Sequence, residues 1–149
     1  MDFDINSSKQ EIDITNRTDL VTPTWKIRQT FNEGGVNKSK FSKDEIDEVI
    51  MGQVLTAGAG HNPARQAAIN AGIPISKPAH IVNQVCGSGL RAVISGYQSI
   101  KLGESNNIIS GGQESMSLAP HSIFYRDEKK ISEDKLLDTM VNDGLIDAF

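Results

Sequence analysis

The chain has one cysteine, Cys86, in the run Asn83-Gln84-Val85-Cys86-Gly87-Ser88-Gly89-Leu90-Arg91, and its setting is the one best suited to chemistry. His80 to Val85 reads as a strand, with Ile81, Val82 and Val85 as its β-formers. Leu90, Val93, Ile94, Tyr97 and Ile100 then recur at helical spacing, and Gly103 stops the run. Cys86 is therefore expected on a strand-turn-helix, with Gly87 and Gly89 permitting a sharp reversal of the backbone. The thiolate is the nucleophilic form of cysteine. Unpaired N–H groups and the macrodipole at a helix start favour negative charge there. The same N–H groups, those of Cys86 and Gly87, could hold a developing oxyanion on an acylated substrate. This is the logic of the hydrolase nucleophile elbow, with cysteine in place of serine. The residues fit equally an inert thiol packed as a small hydrophobe, and by themselves they leave both readings open.

The remaining polar candidates carry weaker signals. His61, His80 and His121 are far apart, and none shows a metal-ligand spacing with Cys86 or a carboxylate pair, so no metal site is expected. Each reads as a structural histidine. Asn83 and Gln84 flank the cysteine, where they either orient it or bond the backbone. Glu114, Ser115 and Met116 follow the end of an expected strand, where sites gather in α/β sheets. Gly58-Ala59-Gly60 begins a phosphate-like loop, but Pro63 occupies the place of the third glycine of a dinucleotide fingerprint. A dinucleotide cofactor is not expected.

The elements that must position Cys86 follow from periodicity and punctuation. Ser42-Lys43-Asp44-Glu45 is a capping box that opens one helical turn before a strand from Glu48 to Leu55. Asn62 caps a helix with Pro63 at its first position, running through Ala71 to Gly72. Asn107 to Ser110 forms a short strand ending in Gly111-Gly112. Thr22-Pro23 starts a short helix carrying Trp25, Ile27 and Phe31, and Arg126 to Lys135 is a charged, solvated stretch. Residues 1–20 are polar, with only Ile12 and Ile14 alternating, and read as loose. Strands alternating with helices imply an α/β fold, a parallel or mixed sheet covered by helices.

Composition sets the bounds. With 149 residues the chain can bury a real core, and 15 basic against 19 acidic residues form no stripe suited to nucleic acid or an anionic membrane. No apolar run reaches the ~18 residues of a membrane span. The polar, acidic N-terminus does not resemble a secretory signal, and a lone cysteine fits a reducing compartment, so a cytoplasmic protein is expected.

Asn83-Gln84-Val85-Cys86-Gly87-Ser88-Gly89-Leu90-Arg91-Ala92 closely resembles the nucleophile motif of the thiolases (acetyl-CoA acetyltransferases). Glu45 to Leu55, Gly60-His61-Asn62-Pro63-Ala64-Arg65-Gln66-Ala67-Ala68, Gly111 to Ser117 and Asp143 to Phe149 resemble further thiolase segments in the same order. The nucleophile motif of ketoacyl synthases reads differently. The resemblance covers the opening portion of a thiolase. It implies an incomplete N-terminal half of the thiolase fold, with 21–116 in the N-terminal core domain and 117–149 starting the CoA-binding loop domain. Residues 1–20 depart from the family, which opens with an apolar core strand and an Arg-Thr-Pro turn; here Asp19 follows Arg17-Thr18.

By that resemblance Cys86 is the residue acylated by acyl-CoA, and Leu145 lies along the pantetheine of CoA as an apolar contact. Glu114 to Met116 come near the cavity as packing or dimer-contact residues. The activity implied is acyl transfer between CoA thioesters, making or cleaving acetoacetyl-CoA through an acyl-cysteine, within fatty acid metabolism. Coenzyme A enters as part of the substrate, and no separate cofactor is implied. The family's Gly-His-Pro histidine, its second cysteine and its Asn-Glu motif belong to later sequence and have no counterpart here: Asn62 follows Gly60-His61. The chain is therefore expected to be inactive or incomplete alone. Homo-oligomers are one expected state. The alternative to an enzyme is a non-catalytic truncated remnant, or an interaction module that pairs with another thiolase chain.

Overall fold

The computed structural model describes residues 11–18, by their backbone, and 41–123, 136–147 and 149. The expected Thr22-Pro23 helix and the charged stretch from Arg126 to Lys135 lie outside them. The main sheet has four parallel strands: β1 (Glu11–Thr18), β2 (Glu48–Gly52), β3 (Ala79–Val82) and β4 (Asn107–Glu114), in the order β1-β4-β2-β3. Helix α1 (Pro63–Asn70) joins β2 to β3, and α2 (Ser88–Leu102) joins β3 to β4. β5 (His121–Ser122) and β6 (Leu137–Asp138) form a separate antiparallel pair. The α/β alternation read from the sequence is thus present, and the four-stranded sheet is parallel throughout.

β2 explains the two faces of the sheet. Val49 and Met51 point to one side, where they pack with Ile46, Ile109, Ile73 and the α1 residues Ala64, Ala67 and Ala68. Ile50 points to the other, against Ile108 and the α2 residues Ala92 and Ile100. A strand covered on both faces reads as an unbroken apolar run, as a parallel sheet requires. α1 is fixed at its start by Asn62, whose Oδ1 accepts from Arg65 N at 3.1 Å and whose Nδ2 donates to Ala79 O at 2.9 Å. The Arg65 guanidinium donates to the carbonyls of Ile75 and Lys77, tying the α1–β3 connection to the helix.

Two carboxylates hold the entry to β2. Glu45 closes the capping box by accepting from Ser42 N at 2.7 Å, and that bond keeps its carboxyl below the usual range. Asp47 Oδ2 accepts from Asn106 N at 2.8 Å and Asn107 N at 3.1 Å, and Oδ1 meets Lys77 Nζ at 3.4 Å. Partial burial pushes the Asp47 carboxyl up, but these donors outweigh it and leave it below the ordinary value.

Three expectations need correction. Glu11–Thr18, read as loose, is an eight-residue strand in parallel register with β4, from Glu11 opposite Asn107 to Thr18 opposite Glu114. An edge strand is held by its backbone ladder, which needs no apolar alternation. β4 runs to Glu114 rather than stopping at Ser110, and Gly111 and Gly112 are ladder positions within it. β2 and β3 end earlier than expected, at Gly52 and Val82. α2 has the helical form expected, with Ser88, Ala92, Gly96 and Ile100 buried on the sheet and Leu90, Ile94 and Tyr97 exposed. The sheet side selects small residues because the helix sits so close. A Cβ on Gly96 would lie 2.5 Å from Ser110 Oγ and 3.3 Å from Ile108 Cγ2.

Candidate active site

Parallel topology brings the C-terminal ends of β2, β3 and β4 together at one edge, and the cleft lies there. It has a volume of about 520 Å³ and is lined by Gly52 to Leu55, Val85, Cys86, Ser88 to Leu90, Gly112 to Glu114, Met116 and Gly144-Leu145. Cys86 is exposed within this lining, which removes the buried-hydrophobe reading of its thiol. Leu145, half exposed, lines the same cleft. The sequence-predicted nucleophile and apolar contact are thus brought together, and so is Glu114. His61, His80 and His121 are not among the lining residues, and His80 instead meets the Glu48 carboxylate at 3.1 Å. Among the described residues no group of three His, Cys, Asp or Glu side chains could hold a metal ion.

The turn before α2 is built from its side chains. Val85 has φ 48°, a left-handed conformation rare for a β-branched residue. Ser88 Oγ accepts from Gln84 N at 2.8 Å and donates to Val85 O at 2.5 Å, while Val85 N donates to Asn83 Oδ1 at 3.0 Å. Gly87 N donates to Gln84 O and Ser88 N to Val85 O, both at 3.0 Å. These bonds hold Val85 in a conformation that costs about 1–3 kcal/mol and point Cys86 outward. The reversal expected at Gly87 therefore belongs to Val85, since Gly87 itself has φ −84°. Gly87 is also corrected as an oxyanion donor, because Gln84 already occupies its N–H. The N–H of Cys86 remains the candidate.

The glycines at the strand ends are spacing devices. A Cβ on Gly52 would fall 2.3 Å from Ser88 C and 2.4 Å from Gly89 N, so only glycine lets the first turn of α2 rest on the end of β2. A Cβ on Gly89 would by contrast meet Gly112 Cα at 3.8 Å, an ordinary contact that this position could accept. Gly144 belongs to a five-residue π-helical turn, Val141–Leu145, and a Cβ there would come 3.1 Å from Leu55 Cδ2. Close seating on Leu55 is what carries Leu145 to the cleft.

Sequence reasoning missed the polar floor. Gln53 and Gln113 are almost fully buried; Gln113 Nε2 donates to Gln53 Oε1, and Gln53 Nε2 donates to Leu55 O, both at 2.8 Å. Glu114 Oε2 accepts from Val54 N at 2.8 Å and Leu55 N at 3.2 Å. No local pattern in the sequence signals this floor, because Gln113 and Glu114 find their partners about sixty residues away.

Comparisons with known proteins converge on this arrangement. The family described as thiolase, N-terminal domain, matches residues 19–149. An acetyl-CoA acetyltransferase of Rhizobium meliloti is 57% identical over 105 residues, covering 70% of this chain and 27% of its own length. That of Shinella zoogloeoides is 43% identical over 145 residues, 97% of this chain and 37% of its own length. The cytosolic acetyl-CoA acetyltransferase of Rattus norvegicus is 41% identical over the same share of this chain. The crystal structure of a thiolase from Ascaris suum, solved in complex with coenzyme A, superposes with a TM-score of 0.79 at 33% identity, covering 91% of this chain and 36% of that one. The chain spans about a third of the length of these relatives.

Proposed function

Because the chain belongs to the thiolase family, we propose that it carries the acyl-accepting half of an acetyl-CoA acetyltransferase site, with Cys86 as the nucleophile. The observation that carries this is the exposed Cys86 on the strained Val85 turn at the start of α2, inside the cleft that Leu145 also lines. In the step proposed, the Cys86 thiolate attacks the thioester carbonyl of an acyl-CoA. The sulfur–carbonyl bond to Cys86 forms as that to CoA breaks, the CoA thiolate leaves, and the thiol proton of Cys86 ends on CoA. In this reading the N–H of Cys86 holds the oxyanion and Leu145 contacts the apolar part of the pantetheine arm. The cytosolic relatives support a cytoplasmic setting, and no helix among the described residues is long and apolar enough to cross a membrane.

Condensation or cleavage of acetoacetyl-CoA needs a base and an acid besides the nucleophile, and each such group is worth ~10²–10⁴ in rate. Among the described residues the cleft lining includes no histidine, and Cys86 is the one cysteine of the sequence. A second reading therefore joins the first: the chain pairs with a polypeptide that completes the site. The exposed Leu90, Ile94 and Tyr97 on α2, beside the cleft, favour it. The test is release of CoA from acetyl-CoA, followed with a thiol reagent that reports free CoA. One equivalent per chain, without acetoacetyl-CoA, is the expected result. Continued release with product formation by the purified chain would overturn the incomplete-site reading, and no release would overturn the nucleophile assignment.

A further inference from the structure

Glu114 joins the cleft to the nucleophile by a continuous set of hydrogen bonds. Its Oε2 is held by two backbone N–H groups, of Val54 and Leu55, sixty and fifty-nine residues away in the chain. The carbonyl of Val54 in turn accepts from Asn83 Nδ2, the longest link at 3.5 Å. Asn83 Oδ1 accepts from Val85 N at 3.0 Å, and Val85 is the left-handed residue immediately before Cys86. The other oxygen of Glu114, Oε1, is buried in the cleft wall without a donor among the described residues. A carboxylate accepting two N–H groups makes strong, charge-assisted bonds. Removing it leaves two donors of the cleft floor unpaired, at the segment on which Asn83 and Gly144 rest.

We propose that Glu114 is a positioning residue for Cys86, acting through the Val54 backbone and the Asn83 side chain on the strained Val85 turn. The claim rests on the reading of Cys86 as the acyl-accepting group, because positioning matters for attack on a thioester carbonyl. A nucleophile displaced by a fraction of an ångström loses near-attack geometry, and remote substitutions with this effect cost up to ~10² in rate. A small alkylating agent approaches from many directions and is far less sensitive.

The experiment compares the unmodified chain with E114A, E114Q, N83A and the E114A/N83A double variant. Amide hydrogen exchange is read at Val54, Leu55 and Val85, together with the ratio of Cys86 acetylation by acetyl-CoA to its alkylation by iodoacetamide. E114A is expected to speed exchange at all three amides and to lower the ratio about tenfold. E114Q keeps an acceptor for both N–H groups and is expected to restore them. N83A, at an exposed side chain, is expected to speed exchange at Val85 alone and to lower the ratio similarly. The double variant is expected to be no worse than the worse single change, as for two links of one path. A purely local role for Glu114 would move Val54 and Leu55 but leave Val85 and the ratio unchanged, and that result would overturn the proposal. If E114A fails to fold, N83A still decides: an unchanged Val85 amide overturns the relay. Should the unmodified chain show no acetylation at all, the nucleophile reading fails, and Val85 exchange still tests the relay by itself.

Discussion

At the scale of the residue, the site depends on positions that no composition rule singles out. Cys86 was legible because a lone cysteine sits between a strand pattern and a helix pattern, flanked by glycines. The strain was not: Gly87 and Gly89 drew the expectation of a reversal, yet Val85 makes it, because Ser88 and Asn83 hold its backbone from both sides. Val85→Gly tests this. Glycine adopts φ 48° without penalty, so relief of ~1–3 kcal/mol outweighs the ~0.5–1 kcal/mol of added chain entropy. The thermal midpoint should rise, by about 1 kcal/mol of stability, while Cys86 becomes slower toward acetyl-CoA as its turn loosens. A lower midpoint in Val85→Gly would show that the turn is not strained. Asp47 gives the pH counterpart. Its carboxyl lies below the ordinary value in the fold, so its stabilisation is complete above the unfolded value of about 3.9 and is lost as pH falls through the folded one. Asp47→Asn should therefore cost about 1–2 kcal/mol at neutral pH, with the difference from the unmodified chain closing in acid. A difference that stays constant from pH 7 into the acid range would contradict that linkage.

At the scale of the element, periodicity located both helices and the central strands, and caps marked their ends well. Asn62-Pro63 opens α1 and Gly103, with φ 76°, closes α2. What periodicity could not settle was which side of α2 meets the sheet. Leu90, Ile94 and Tyr97 form one stripe and Ser88, Ala92 and Gly96, continued by Ile100, another, and a pattern of hydrophobicity favours the first. Packing chose the small stripe because Gly96 and Ala92 allow the helix to sit directly on Ser110 and Ile108. The two stripes predict opposite sensitivities. Gly96→Ala should cost about 1–3 kcal/mol through overpacking against Ser110. Ile94→Ala, on the exposed stripe, should cost less than about 1 kcal/mol in the isolated chain. Chemical denaturation of the two variants decides it, and the reverse order would place the helix on its other face. The polar residues at the start explain the other misjudged element, since β1 depends on backbone pairing with β4 and offers the eye only Ile12 and Ile14.

At the scale of the whole molecule, the family assignment and the architecture agree: a parallel sheet covered by helices, with the Cys86 turn and a cleft at its strand ends, in a chain that spans about a third of the length of its relatives. The family was readable because its motifs are contiguous runs around strand ends. The polar floor of Gln53, Gln113 and Glu114 was not, because its partners come from segments about sixty residues apart. In the function proposed, Cys86 and its N–H would support acylation, whereas turnover requires a base and an acid that the cleft lining lacks among the described residues. The most direct measurement is intact-mass spectrometry of the folded chain after incubation with acetyl-CoA, beside Cys86→Ala. One acetyl group on the unmodified chain and none on the variant is the result expected. An acetyl group that persists in Cys86→Ala, or a chain that never takes one up, would contradict the assignment of Cys86 as the acyl acceptor.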